Sequence, residues 1–154
     1  MRVGLISDTH GLLRPEALAA LAGSDLILHA GDVGTPAVLD GLRALAPVVA
    51  VRGNVDAAAW ARGLPEVATV PLGRHRLLLL HDAKALALDP AREGYAAVVA
   101  GHSHRPSHAL RDGVHFVNPG SAGPRRFRLP VAVARLVVAD AIAVELVELV
   151  APPR

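Results

Sequence analysis

Residues 3–10 read Val-Gly-Leu-Ile-Ser-Asp-Thr-His, an apolar run that ends in two side chains able to bind a metal, Asp8 and His10. Four later apolar runs end in the same way: 26–29 leads to Asp32, 48–51 to Asn54, 77–80 to His81, and 97–100 to His102 and His104. In open α/β sheets, ligands bind outside the carboxyl ends of the strands. If the five runs are strands of such sheets, these side chains converge, and we predict a metal centre where they meet.

The first half of the chain alternates strand and helix patterns. Residues 14–21 carry Pro and Glu in a predicted first helical turn, and Gly23-Ser24 ends this pattern. Thr35-Pro36 is typical of the start of a second helix, whose apolar residues are expected on one face: Val38, Leu39, Leu42 and Leu45. A short third helix is predicted at 57–61. Such alternation indicates a parallel sheet with right-handed crossovers.

The second half of the chain is typical of hairpins. The predicted strand pairs are 68–71 with 74–80, 107–110 with 114–117, and 131–138 with 142–150. The turn at 111–113 contains Asp-Gly, a strong hairpin signal. Parallel units followed by hairpins predict two sheets packed face to face with helices outside. We expect a single domain over residues 1–154, with fraying only at 151–154.

Composition excludes several classes of protein. The chain has 154 residues, 52% of them hydrophobic, and no cysteine, which rules out disulfides, thiolate zinc sites and cysteine nucleophiles. No apolar stretch reaches the roughly 18 residues of a membrane span, and the start lacks a signal-peptide pattern. We therefore expect a cytoplasmic protein without membrane contact. The arginines are mostly dispersed, which does not indicate a nucleic-acid interface, although a nucleotide substrate stays open.

The candidate ligands indicate which metals fit. Carboxylate, amide oxygen and imidazole without thiolate suit Mn²⁺, Fe, Zn²⁺, Ni²⁺ or Co²⁺ better than a structural zinc site. Seven ligands are too many for one ion with an open position, and they suit two ions that share a carboxylate. Two ions about 3.5–4 Å apart act as a clamp for displacement at phosphorus and acidify a bound water. That chemistry requires no side-chain nucleophile.

The ordered motifs resemble those of the calcineurin-like metallophosphoesterases over about residues 1–122. They are Asp8-x-His10, Gly31-Asp32, Gly53-Asn54, His81 and Gly101-His102-Ser103-His104. The stretches 51–56, 101–106 and 118–121 are most similar to the small YfcE-type phosphodiesterases. The resemblance implies a four-layer α/β/β/α sandwich of two mixed sheets flanked by helices, with the metal site at one sheet edge.

The resemblance also implies a role for each ligand. One ion would be held by Asp8, His10, Asp32 and His104, and the second by Asp32, Asn54, His81 and His102, with Asp32 bridging. A hydroxide between the ions would attack phosphorus. We expect Asp32, Asn54 and His102 to take part in catalysis as well. Manganese is the expected metal, with iron, nickel, zinc and cobalt as alternatives.

One position departs from the family pattern. The larger phosphatases of this family carry a histidine directly after the Asn, a proton donor to the leaving group, whereas this chain has Val55. We therefore predict a preference for diesters with good leaving groups among small phosphate-ester substrates.

Two other functions compete with this hypothesis. A protein-interaction scaffold of the same fold is the first, but scaffold forms lose ligands and this chain keeps all of them. A receiver or haloacid-dehalogenase-like phosphotransferase needs clustered Asp residues and a distal Lys, and the only lysine, Lys84, is misplaced. The chain could also form a homodimer or homotetramer through apolar outer strands such as 131–138.

A few further residues have expected roles. We favour a structural role for His29 over support of a ligand, and an N-cap role for Asp56 in the following helix. Residues 118–121 are expected to shape a turn near the metals. For Arg125 and Arg126 we favour a surface role over contact with a substrate phosphate.

Overall fold

Ten strands form two five-stranded sheets in the computed structural model, which describes residues 1–150, the last by its backbone only. The predicted fraying at 151–154 lies outside the described residues. The first sheet contains β1 (Arg2–Ile6), β2 (Leu26–His29), β3 (Val48–Ala50), β9 (Val131–Val138) and β10 (Ile142–Val150). The second contains β4 (Val67–Leu72), β5 (His75–Leu80), β6 (Ala97–Val99), β7 (Ser107–Arg111) and β8 (Val114–Asn118).

Parallel strands occupy the centre of each sheet. The first sheet has the order β10-β9-β1-β2-β3, and β1, β2 and β3 are parallel. The second has the order β4-β5-β6-β8-β7, and β5, β6 and β8 are parallel. The three predicted hairpins are confirmed as the antiparallel pairs β4–β5, β7–β8 and β9–β10. The predicted sandwich of two mixed sheets flanked by helices is therefore confirmed.

Two α-helices begin where the sequence predicts, each with proline in its first turn. They are α1 (Pro15–Leu21) and α2 (Pro36–Arg43). Thr35 occupies the N-cap position of α2 in extended conformation, but its side chain makes no capping hydrogen bond. Leu45 was expected on the apolar face of α2, but the helix ends at Arg43 and leaves Leu45 36% exposed. The predicted helix at 57–61 is a single 3₁₀ turn, Ala59–Ala61.

Three apolar layers hold these elements together. The layer between the sheets includes Leu5 and Leu28 from the first sheet and Leu79 from the second. The helices pack on the outer face of the first sheet, where a second cluster forms around Ile27. The outer face of the second sheet, around Leu80, is covered by partly buried side chains of the segment 82–95 and not by an α-helix. Strand residues are buried on both faces, as expected for central parallel strands.

One strand that was predicted at the edge of a sheet lies inside it. Residues 131–138 were considered an outer strand available for pairing between subunits, but β9 lies between β1 and β10 inside the first sheet. Its backbone hydrogen-bonding groups therefore already pair with β1 and β10.

The helices found within residues 1–150 include none with the length and apolar character of a membrane span.

Candidate metal centre

The candidate ligands follow the ends of strands from both sheets. Asp8, Asp32 and Asn54 come after β1, β2 and β3, while His81 and the 102–104 segment come after β5 and β6. Backbone hydrogen bonds join these endings: the amide of Asp8 donates to the carbonyl of Gly31 at 3.0 Å, and the amide of Gly101 donates to the carbonyl of His81 at 2.9 Å. Distant parts of the chain therefore meet at one edge of the sandwich.

Two buried carboxylates, Asp8 and Asp32, lie at the centre of this meeting point. One oxygen of Asp8, Oδ2, accepts hydrogen bonds from the Ser7 hydroxyl at 2.7 Å and from the His102 amide at 3.1 Å. One oxygen of Asp32, Oδ1, accepts from the Val55 amide at 3.0 Å. Each carboxylate is thus fixed through one oxygen, and its other oxygen faces the imidazoles.

Three imidazoles surround the remaining oxygens. Asp8 Oδ1 lies 3.4 Å from His104 Nε2 and 3.9 Å from the Nε2 atoms of His10 and His81. Asp32 Oδ2 lies 3.2 Å from His81 Nε2 and 3.7 Å from His10 Nε2. Two groups that could hold an ion result, one of Asp8, His10 and His104, and one of Asp8, Asp32 and His81.

Several buried polar atoms in this cluster have no hydrogen-bond partner among the residues that the structure describes. They are Asp8 Oδ1, His10 Nε2, His81 Nε2 and His104 Nδ1. Leaving a buried polar atom unpaired costs about 1–3 kcal/mol, so unpaired atoms are rare in folded proteins. The ring of His81 is oriented from behind, because its Nδ1–H donates to the carbonyl of Ala30 at 2.8 Å and leaves Nε2 toward the carboxylates. Metal-binding histidines are commonly held this way. The residues therefore fit divalent metal ions.

The other two candidate ligands lie at the exposed rim. The side chain of His102 is 45% exposed, and its ring centroid lies 5.2 Å from that of His81. His102 Nε2 is 3.8 Å from a carboxylate that the sequence analysis did not consider, Asp82, although this residue directly follows His81. Asn54 is exposed in the turn after β3. The structure thus buries Asp8, Asp32, His81 and His104 together, with His10 partly buried beside them.

The backbone of the cluster adopts an unusual conformation. Five candidate ligands have positive φ angles: Asp8 (55°), His10 (46°), Asp32 (55°), His102 (72°) and His104 (62°). Residues other than glycine seldom adopt this left-handed region, which costs roughly 1–3 kcal/mol at each position. The tight turns bring side chains from both sheets to one point, so strain is concentrated at the candidate site.

Electrostatics keeps both carboxylates charged. Burial raises the pKa of Asp32. The His81 imidazole, the Val55 amide and the His10 imidazole together lower it by more, and the resulting pKa is about 2. Burial also raises the pKa of Asp8, but the His104 imidazole and the Ser7 hydroxyl lower it by more, so the pKa of Asp8 stays below its usual value. For His81 burial lowers the pKa, whereas Asp32 raises it, and the net pKa is raised. Two buried negative charges at neutral pH require compensating positive charge.

A buried histidine supports the loops on both sides of the cluster. The amide of Gly31 donates to His29 Nδ1 at 3.0 Å, so this nitrogen is unprotonated. The other ring nitrogen, Nε2–H, donates to the Thr9 hydroxyl at 3.0 Å, and Thr9 in turn donates to the carbonyl of Val33 at 2.8 Å. His29 is therefore both a core residue and a support for residues that neighbour the ligands.

Further supporting side chains come from the loops. The predicted turn at 118–121 lies beside the site: the Asn118 side-chain amide donates to the Gly101 carbonyl at 2.9 Å, and the Ser121 hydroxyl donates to the Asp8 carbonyl at 3.0 Å. Asp56 does not cap a helix as expected. Its carboxylate accepts from the amides of Val33, Gly34 and Gly53, and so ties the loop after β2 to the loop after β3.

The chain is similar in sequence to known proteins over almost its whole length. Residues 1–141 match the family model of the calcineurin-like phosphoesterase superfamily domain. A curated relative from Methanothermobacter thermautotrophicus, named a probable metallophosphoesterase, is 30% identical over 99% of this chain and 95% of its own length. The resemblance noted in the sequence is therefore confirmed.

Two solved structures share the fold. The phosphoesterase YfcE from E. coli is 27% identical, with a TM-score of 0.68, over 89% of this chain and 88% of that chain. Vps29 from Entamoeba histolytica, solved in complex with Zn²⁺, is 25% identical, with a TM-score of 0.75, over 97% of this chain and 99% of that chain.

Proposed function

Because this chain belongs to the calcineurin-like phosphoesterase superfamily, we propose that it is a dinuclear metal-dependent phosphodiesterase. The observation that carries the proposal is the group of unpaired buried atoms, among them Asp8 Oδ1 and the Nε2 atoms of His10 and His81. With His104 Nδ1, they belong to residues that follow β1, β5 and β6, and the Nε2 atoms of His10 and His81 lie within 4 Å of both buried carboxylates. Bound cations would give these atoms the partners that the protein does not provide.

The imidazoles form two pairs, which supports two ions. The rings of His10 and His104 have centroids 5.5 Å apart, and those of His81 and His102 are 5.2 Å apart. In the proposed arrangement, one ion would be held by Asp8, His10, Asp32 and His104, and the other would be held by Asp32, Asn54, His81 and His102. Asp32 Oδ2 lies 3.7 Å from His10 Nε2 and 3.2 Å from His81 Nε2, so it is within reach of one imidazole of each pair. When bound, such ions acidify water and neutralise charge that develops on phosphate oxygens.

The chain itself determines which esters are favoured. Val55 stands after Asn54 and is 52% exposed, so it places an aliphatic side chain where the larger phosphatases carry a histidine. A valine cannot protonate a leaving group. Its backbone amide instead holds Asp32 Oδ1 in place. Substrates with leaving groups that need no proton are therefore favoured, and we expect phosphodiesters with activated alcohols to react fastest.

A comparison of two chromogenic substrates tests this proposal. We expect the Mn²⁺-loaded protein to hydrolyse bis-p-nitrophenyl phosphate faster than p-nitrophenyl phosphate, measured as kcat/KM at neutral pH. Replacing Mn²⁺ by Fe²⁺, Ni²⁺, Zn²⁺ or Co²⁺ in the same assay identifies the preferred metal. Faster turnover of the monoester would contradict the diester preference, and absence of turnover with every metal would contradict the enzymatic function.

A non-catalytic scaffold is the second candidate, favoured by the similarity to Vps29, a vacuolar protein sorting protein. Metal binding alone does not separate the two candidates, because that Vps29 was solved with Zn²⁺. Hydrolysis separates them. The retention of all seven candidate ligands favours the enzyme. We continue to predict a single domain, a cytoplasmic location and assembly into a homodimer or homotetramer.

A further inference from the structure

Phe127 combines two features that are unfavourable for an aromatic residue. Its side chain is 89% exposed, and its φ angle is +54°, in the left-handed region that non-glycine residues seldom adopt. The other large aromatic residues, Trp60, Tyr95 and Phe116, all pack against an apolar cluster. An exposed aromatic ring on a strained backbone is an observation that suggests a binding role.

The loop that carries Phe127 starts directly at the metal centre. The amide of Ala122 donates to the Ser7 carbonyl at 3.0 Å. The Arg14 guanidinium donates to the Gly123 carbonyl at 3.3 and 3.2 Å. Gly123 lies so close to the backbone of Asp8 and Thr9 that a side chain at this position would overlap their carbonyl oxygens. The base of the loop is therefore fixed to β1, whereas its tip at residues 126–128 is exposed.

Positive charge flanks the aromatic ring. Arg126 and Arg128 are both exposed on either side of Phe127. Arg126 follows three residues after Gly123, so the chain keeps its backbone within roughly 11 Å of the point where Gly123 packs against the Asp8 and Thr9 carbonyls. Arginine is well suited to phosphate, because its guanidinium donates two parallel hydrogen bonds. The exposure of Arg126 agrees with the surface role favoured from the sequence and leaves its guanidinium accessible to a ligand.

We propose that the loop 124–128 is the binding site for the nucleoside part of a nucleotide substrate. Phe127 stacks on the base, and Arg126 binds a phosphate oxygen. This assignment rests on the proposed phosphoesterase function, and it names the substrate class of the same centre. Stacking on an aromatic side chain is tolerant of base identity, since every base has a π-face. The loop would therefore select nucleoside phosphates over other esters without selecting one base.

Binding of two ligands that differ only in the base tests the proposal. We expect the Mn²⁺-loaded protein to bind AMP about tenfold more tightly than ribose 5-phosphate in calorimetric titrations. In Phe127→Ala the two affinities become equal, because only the AMP affinity falls, whereas Phe127→Trp keeps the difference. Arg126→Ala lowers the affinities for AMP and for ribose 5-phosphate by the same factor. Leu110→Ala removes an apolar side chain that is 60% exposed on β7 and serves as the matched control, with both affinities unchanged.

The outcomes separate this proposal from the phosphoesterase proposal. Equal affinity of the wild-type protein for AMP and ribose 5-phosphate would overturn the nucleoside site, as would a base preference that persists in Phe127→Ala. Both results are obtained whether or not the protein hydrolyses any ester. If either ligand is hydrolysed during the titration, the ratio of the two KM values, followed by phosphate release, replaces the ratio of affinities. A protein without activity that still prefers AMP would contradict only the enzymatic function.

Discussion

At the scale of single residues, His29 couples protonation to stability. Burial lowers its pKa from 6.5 to about 4. A proton could add only at Nδ1, which already accepts the amide hydrogen of Gly31, so charging the ring breaks that hydrogen bond. Between pH 6.5 and 4 the unfolded chain binds a proton at this residue that the folded protein does not bind. Stability is therefore lost as the pH falls through this window and is unaffected above it.

We expect this loss to be on the order of 3 kcal/mol between pH 7 and pH 4. It is measured by chemical unfolding of the metal-free protein across the pH range. The variant His29→Gln has no titratable group at this position, and its free energy of unfolding should fall less over the same range, by about that amount. Parallel pH profiles of the two proteins would show that His29 does not contribute.

The candidate ligands could be predicted because each follows an apolar strand, and the supporting turn at 118–121 was predicted as well, whereas the role of Asp56 was not. Asp56 is a residue type that occurs in many turns, and two of its partners, Val33 and Gly34, lie in the loop after β2. Asp56 was expected to cap the nearest helix, but its carboxylate binds the amide of Val33, 23 residues away in the chain. The position of Asp32 could be predicted because it follows the end of a strand. The role of a side chain could not be predicted where its partners belong to a distant loop.

At the scale of elements, close approach of loops fixes the strand ends. Gly101 follows β6, and a Cβ at this position would overlap the Ser7 hydroxyl and the Asp8 carboxylate, which both belong to the network of the site. We expect Gly101→Ala to destabilise the protein by about 1–3 kcal/mol, since added atoms in a packed region force neighbours to move. Unfolding in denaturant measures this change, and calorimetry should show weaker Mn²⁺ binding.

Gly63→Ala provides the matched control for this substitution. In the part of the chain that the structure describes, the Cβ that it would add meets no atom within 4 Å beyond its chain neighbours, so we expect unchanged stability and unchanged Mn²⁺ binding. If both alanine variants behaved alike, the close packing of Gly101 against the end of β1 would not matter to the site.

The elements themselves were largely predictable, but their order in the sheets was not. The hairpin β7–β8 forms around Asp112 and Gly113, which have φ angles of 53° and 77°, as the two-residue turn in its sequence predicts. The internal position of β9 depends on pairing with β1, more than 120 positions earlier in the chain. Such pairing is decided by the packing of the whole sheet, and no local pattern reports it.

At the scale of the whole molecule, metal removal should lower thermal stability. The unpaired atoms and the two charged carboxylates gain partners when ions bind, and an ion that binds only the folded state at 100 times its Kd stabilises it by about 2.7 kcal/mol. For a chain of this size we expect Tm to rise by roughly 5–10 °C when Mn²⁺ replaces EDTA. Scanning calorimetry measures this shift. Asp32→Asn should reduce it, because that substitution removes one charge from the site.

An equal Tm in Mn²⁺ and EDTA for the wild-type protein would contradict a metal centre built from these residues. Asp40→Asn is the matched control for Asp32→Asn. Asp40 lies exposed on α2 beside Arg43. Its substitution should leave the effect of Mn²⁺ on Tm unchanged.

The division of ligands between the two sheets has a consequence for the apolar layer that joins them. Asp8 and Asp32 follow strands of one sheet, and His81 follows a strand of the other, so the distances among these candidate ligands depend on how the two sheets pack on each other. Side chains such as Leu5 and Leu79 set that seating. Because packed interiors transmit small displacements, their replacement by smaller residues would shift one half of the centre against the other. The spacing of the candidate ligands is therefore expected to depend on apolar side chains that do not themselves touch the site.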